Sequence, residues 1–235
     1  MNESNGLKTK DKVLIYSILS LFGVVMILPF YWSILTSLRP DADIFKIPIE
    51  WLPKRLTLEH YYKAFNMVPF FKYTINTLLI TLTGLALNLF FGAAAGYGFA
   101  KIRFSGKSLI FRIMLSSLMV PGVVTMIPTF LILKNFPLVG GNNILGKGGF
   151  GFLNTLWGVI LPGGIGVFAV FFMRQFFMSL PDDLAQNARV EGAGEATIYF
   201  KIYLPLVKPA LATLAIFGFQ SGWNSFLWPN IVLSD

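Results

Sequence analysis

The chain has 235 residues, of which 55% are hydrophobic and only 13% charged, whereas soluble domains carry about a quarter charged residues, so the balance is that of a membrane-embedded protein. The formal net charge is +8, but the basic residues gather at the ends of apolar runs, where membrane topology requires them, which argues against nucleic acid as a partner. With no cysteine and one histidine, His60, no Cys/His metal site or thiol nucleophile can be assembled, and no catalytic or metal-binding residue is assigned.

A basic tail, residues 1–12, carries Lys8, Lys10 and Lys12. It leads into residues 13–38, which contain no charge and fifteen Val, Leu, Ile or Phe residues. At about 0.3 to 0.6 kcal/mol each, these favour insertion by roughly 5 to 9 kcal/mol. The run is too long for a cleaved signal peptide and no small-residue cleavage site follows, so a retained first span is predicted. Residues 39–72 are mixed in charge and contain Pro40, Pro48, Pro53 and Pro69. They read as an extracytoplasmic loop with a short interfacial helix near residues 57–66, capped by Thr57.

Residues 73–100 form a second predicted span with Asn76, Asn88 and the tract GAAAGYG at 92–98, whose small residues let helices approach closely. Lys101, Arg103, Lys107 and Arg112 follow without an acidic neighbour, the pattern of a cytoplasmic loop. A third span over 108–133 contains Pro121 and Pro128, which kink it either toward the bundle interior or as packing bends. The glycine-rich stretch 134–152 is an outer loop able to cover an opening or merely to connect. A fourth span, 153–178, has a flexible point at Pro162, Gly163, Gly164 and Gly166; a fifth, from about residue 210, carries Gln220 and Asn224. Such amides are satisfied by a neighbouring helix or line a polar path; Asn76, Pro121, Gln220 and Asn224 are the candidates for that path. The fold class expected is an all-α membrane protein, a polytopic bundle of five transmembrane helices. Residues 73–235 form the region that carries the last four of these spans.

Between the last two spans, residues 180–209 cannot sit in lipid. Asp182, Asp183, Arg189, Glu191, Glu195, Lys201 and Lys208 would each cost about 2.5 to 3.5 kcal/mol at a bilayer centre. Ser179, Pro181, Asp182 and Asp183 together form a helix-start signal. Leu184, Ala185 and Ala188 then recur at helical spacing, a small apolar stripe suited to a shallow contact. Gly192 and Gly194 interrupt that helix, and a second is expected from Glu195 to Tyr203, stopping near Pro205. Eleven of the nineteen Lys and Arg residues fall on the side of this loop, which puts it and the amino terminus in the cytoplasm.

This stretch resembles the cytoplasmic coupling (EAA) loop of permease subunits of ATP-binding-cassette importers, in the carbohydrate branch that includes the smaller maltose permease subunit. Ala188, Gly192 and Ala193 match the family pattern, Tyr199 stands near its aromatic position, and Leu204, Pro205, Leu206 and Pro209 complete the tail. Gln186 replaces a glutamate, Asn187 an alanine and Glu191 an aspartate. The pairs Trp223-Asn224 and Trp228-Pro229 also look like the sugar branch.

The resemblance implies a multi-pass permease subunit of the cytoplasmic (inner) membrane that translocates a sugar and is not itself an enzyme. Its partners would be the lipid bilayer, a second homologous permease, two ATP-binding cassette subunits and an extracytoplasmic sugar-binding protein. Gln186, Ala188, Glu191, Gly192, Ala193, Tyr199 and Pro205 would couple to the ATPases. The chain holds no G-x-x-x-x-G-K-[ST] phosphate loop, so ATP and magnesium would be bound by the partners and no cofactor by this chain. The family's type I importer fold usually has six helices, so the resemblance implies a further helix beyond Asp235 and a chain truncated before it. A permease for amino acids, peptides or other small solutes is the alternative reading; a structural or assembly subunit is another. A membrane enzyme is disfavoured because the spans hold no Asp, Glu, His or Cys.

Overall fold

The computed structural model describes residues 9–47 and 51–233, and every regular element among them is helical. The calls on Lys8 and Pro48 lie outside the described residues. The chain divides into two compact units, Met1–Tyr73 and Thr74–Asp235.

The first unit begins with α1 (Thr9–Ser37), apolar on every side, which is the pattern of a helix surrounded by lipid and not of one with a single buried stripe. Its mean hydropathy reaches 2.4. The hydroxyls of Ser33, Thr36 and Ser37 donate back to the carbonyls of Pro29, Trp32 and Ile34 at 2.8–2.9 Å, so each polar group is satisfied within the helix. After the short α2 (Asp41–Ile44), α3 (Glu59–Met67) forms; the Glu59 amide donates to Thr57 Oγ1 at 3.1 Å, but the N-cap position is Leu58, with no side-chain cap bond, so Thr57, expected to cap, closes the turn before the helix instead. Aromatic and polar contacts tie this segment to the end of α1. Tyr31 donates to the Trp51 carbonyl, Ser37 meets the Tyr61 hydroxyl, and Trp32 and Trp51 pack edge to face. Such amphipathic rings suit a membrane–water boundary.

Helix α4 (Phe70–Lys101), in the second unit from Thr74 onward, is followed by α5 (Lys107–Ser116), a 3₁₀ turn and α6 (Gly122–Lys134). One kinked rod is expected over 108–133, but the two helices stand at 107°. Val120 is extended, with ψ 119°, and Pro121 precedes α6 with ψ 133°. Proline lacks a donor and bars its predecessor from helical ψ, so the chain breaks instead of bending. The loop after α6 is ordered by Asn142, whose side chain donates to the Lys134 and Phe136 carbonyls and accepts from the Gly149 amide.

Next come α7 (Leu156–Gly163) and α8 (Val167–Ser179), bent by 40° at the Gly163–Gly166 joint. Asn88 of α4 donates to the Gly163 carbonyl at 3.3 Å, which satisfies a backbone group freed by the break. The small-residue tract seats α4 on α8. A Cβ at Gly92 would lie 2.7 Å from Ala169 Cβ, and one at Gly96 would lie 2.7 Å from Met173 Cβ, so only glycine permits this approach. Two short helices, α9 (Asp183–Val190) and α10 (Glu195–Thr197), lead through a π-helical turn (Ile198–Tyr203) and α11 (Leu204–Leu206) into α12 (Lys208–Trp223) and α13 (Leu227–Val232). Among the described residues, two helices are long and apolar enough to cross a membrane by themselves, or up to five spans if each bent pair counts as one.

Candidate functional site

The 180–209 segment folds as two short helices around a glycine. At the end of α9 the Ala193 amide donates to the Ala188 carbonyl at 2.9 Å and the Gly192 amide to the Arg189 carbonyl at 3.0 Å. This is a Schellman ending, which needs a left-handed residue after the helix. Gly192 supplies it with φ +85°, and a Cβ there would meet nothing within 4 Å. Its requirement within the chain is therefore conformational.

Beneath the loop lies an aromatic floor. Tyr97 of α4 packs on Phe177 of α8 and on Tyr199 and Tyr203 of the π-turn, with ring centroids 5.0–5.6 Å apart; all four are buried, together with Ala185, Ala188 and Ile198. Pairs of this kind contribute roughly 0.5 to 1.5 kcal/mol each beyond their buried area. The π-turn ends two residues before Pro205, the residue without a donor whose ring crowds the carbonyl four residues back. The helix ends at Leu206, at the stop expected near Pro205.

Polar clamps fix the loop to the end of α4. Lys101, with its side chain only 7% exposed, donates to Asp182 at 2.5 Å and to the Leu180 carbonyl at 2.6 Å, and lies over the Tyr203 ring. Tyr203 donates to the Pro181 carbonyl. Glu195 accepts from Arg189 on one oxygen and from Tyr97 on the other. The hydrogen bond from Lys101 holds the Asp182 carboxyl below its ordinary range, and that from Arg189 does the same for Glu195. Asp182 is thus committed to Lys101. Ser179 ends α8, donating to the Phe176 carbonyl, instead of capping α9.

A second feature is a cleft of about 420 Å³ among α4, α7, α8, α12 and α13, lined by Thr81, Asn88, Ser221, Ser225 and Trp228 as well as apolar residues. Thr81 is 3% exposed, and neither its hydroxyl nor the Trp228 indole N–H has a hydrogen-bond partner.

The residues singled out from the sequence separate by face. Gln186, Glu191, Gly192 and Pro205 are exposed, Ala193 is half-buried, and Ala188 and Tyr199 are buried in the chain's own core. Ala185 is buried with them, so the expected apolar stripe of α9 divides: Ala185 and Ala188 face inward, and Leu184 stays exposed. Asn76, Pro121, Gln220 and Asn224 do not line the cleft. Gln220 and Asn224 meet each other, the Asn224 amide donating to the Gln220 carbonyl. Sequence reasoning missed Lys101, Tyr97 and Tyr203, whose partners lie far along the chain, and Val190, 89% exposed at the tip of α9.

Residues 88–235 match the family model described as binding-protein-dependent transport system inner membrane component. The chain is 32% identical over 220 residues to the diacetylchitobiose uptake system permease protein NgcG of Streptomyces coelicolor, covering 94% of this chain and 68% of that one. It is 34% identical to the arabinooligosaccharides transport system permease protein AraQ of Bacillus subtilis, over 91% and 72% of the two chains. With the lactose transport system permease protein LacG of Rhizobium radiobacter it shares 30% identity over 94% and 75%. Its fold matches a chain in the crystal structure of a bacterial ABC transporter involved in the import of the acidic polysaccharide alginate, with a TM-score of 0.80 and 23% identity, covering 97% of this chain and 77% of that one.

Proposed function

The chain belongs to the family of binding-protein-dependent transport system inner membrane components, and from that premise we propose that it moves an oligosaccharide or related glycoside, driven through its 180–209 loop by separate ATPase subunits. It is a permease subunit of a carbohydrate ABC importer, so the substrate class follows from its relatives, which are named for diacetylchitobiose, arabinooligosaccharides and lactose. ATP and magnesium belong to the ATPase partners. A second permease and an extracytoplasmic sugar-binding protein would complete the assembly, and the excess of basic residues on the loop side supports a cytoplasmic amino terminus.

The observation that carries the coupling role is the two-faced α9 hairpin: its inner side is locked onto α4 and α8, while Gln186, Val190 and Glu191 project outward. Closure of the ATPases would pull this tip. Because Lys101, Tyr97 and the aromatic floor join the loop to α4 and α8, those helices would tilt with it as one body. Coupling of this kind requires the nucleotide state to favour one arrangement by about 1 to 3 kcal/mol. Asn76, Pro121, Gln220 and Asn224 are retained as proposed pathway residues. Thr81, Ser221, Ser225 and Trp228 join them, since unpaired donors in a membrane-depth cleft suit a ligand bearing many hydroxyls.

The chain has no native cysteine, which makes a clean test. A single cysteine replacing the exposed Asn187 is expected to react with a membrane-impermeant maleimide only in inside-out vesicles, and to crosslink to an ATPase subunit. Labelling from the outer side of intact cells would overturn the assignment.

A further inference from the structure

We propose that the cleft between α5 and α8 binds the phosphate headgroup of an anionic phospholipid. The cleft has a volume of about 560 Å³ and brings together Lys107, Arg112 and Arg174, with no carboxylate among the residues that line it. Arg174 is held in place from two sides: Nε donates to the Phe99 carbonyl at 3.0 Å, and the guanidinium lies 4.1 Å over the Phe111 ring. Lys107 donates to the Ala100 and Ile102 carbonyls. It feels Arg174 and Arg103 as like charges and Asp182 as an opposite one, but Asp182 is already bonded to Lys101. Positive charge thus accumulates here without a protein counter-ion in the cleft. Arg112 is exposed and its guanidinium fork suits phosphate oxygens.

The source of the anion follows from the surroundings. Leu109 stands three residues before Arg112, on the same face of α5, lines the same cleft and is 56% exposed; Ile113 beside Arg112 is 62% exposed. A headgroup on the cations therefore has an apolar surface next to it for its acyl chain. A soluble phosphate would leave that surface uncovered. Basic pockets between membrane helices on the cytoplasmic side take anionic headgroups, with an attraction of about fivefold in affinity for each Lys or Arg. The choice of the inner leaflet rests on the cytoplasmic placement of the 180–209 loop; the binding itself does not.

The test is native mass spectrometry of the intact purified chain in detergent, titrated separately with phosphatidylglycerol, phosphatidylcholine and inorganic phosphate. The expected result is one retained phosphatidylglycerol, preferred at least tenfold over phosphatidylcholine and not displaced by millimolar inorganic phosphate. Arg112→Gln, at an exposed position, is expected to weaken retention about fivefold, and Arg112→Gln with Arg174→Gln to abolish the preference. Lys208→Gln, outside the cleft, should change nothing. Equal retention of the two lipids, displacement by inorganic phosphate, or an unchanged preference in Arg112→Gln would each overturn the proposal. Failure of the cysteine test above would leave this measurement unaffected, so the two readings fall separately.

Discussion

The two sides of α9 behave as different materials. Its inner side, Ala185 and Ala188, is packed into the floor made by Tyr97, Phe177, Tyr199 and Tyr203; its outer side carries Gln186, Asn187, Val190 and Glu191, all exposed. Of the residues that match the family pattern, Ala188 and Tyr199 are buried within the chain, whereas Gly192 and Pro205 are exposed. A match to a family loop does not by itself mean contact. Inward changes should cost stability, and outward changes should cost coupling at constant stability.

The largest effect is expected at Gly192, which belongs to both sides. Gly192→Asp is expected to abolish sugar uptake with membrane insertion intact, because the left-handed turn costs a non-glycine residue about 1 kcal/mol and the added carboxylate would meet the surface of the proposed ATPase partner. Gly192→Asn, which tolerates that conformation better and adds no charge, should retain part of the uptake. On the inner side, Gly96→Leu is expected to lower stability by roughly 1 to 3 kcal/mol through overpacking against Met173. Gly98→Leu, with nothing within 4 Å, should be silent in the same thermal unfolding experiment. Lys101→Met removes the donor to the part-buried Leu180 carbonyl, and should cost about 1 kcal/mol, read as a fall of about 3 °C in the unfolding midpoint.

The smallest effect is that of pH. Lys101 depresses the folded pKa of Asp182, so the clamp contributes fully above the ordinary carboxylate value of about 4 and is lost as pH falls through the lower folded value. Wild type and Asp182→Asn should differ between pH 6 and 8 and converge in acid. A constant difference down to pH 3 would contradict the clamp.

Most of the architecture was legible because lipid imposes strong rules. The uncharged run after Lys12, the charges of 180–209 and the small residues of 92–98 each had one physical solution. Other features depended on partners far apart in sequence. Nothing near Lys101 indicated that it would reach Asp182, and the alanines of α9 could be assigned to a stripe but not to a side. Pro121 was visible as an interruption, yet a bend and a 107° break differ only in what the neighbouring helices permit. Asn88, noted in the sequence only as an amide within the second span, donates to the broken backbone at Gly163.

Val190 separates the two sides most directly, since it is 89% exposed and supports nothing within the chain. The decisive measurement is sugar-dependent ATP hydrolysis by the importer reconstituted with Val190→Asp. The account predicts a fall of about tenfold, or about 1.4 kcal/mol, with an unchanged unfolding midpoint; wild-type hydrolysis that still responds to bound sugar would contradict it.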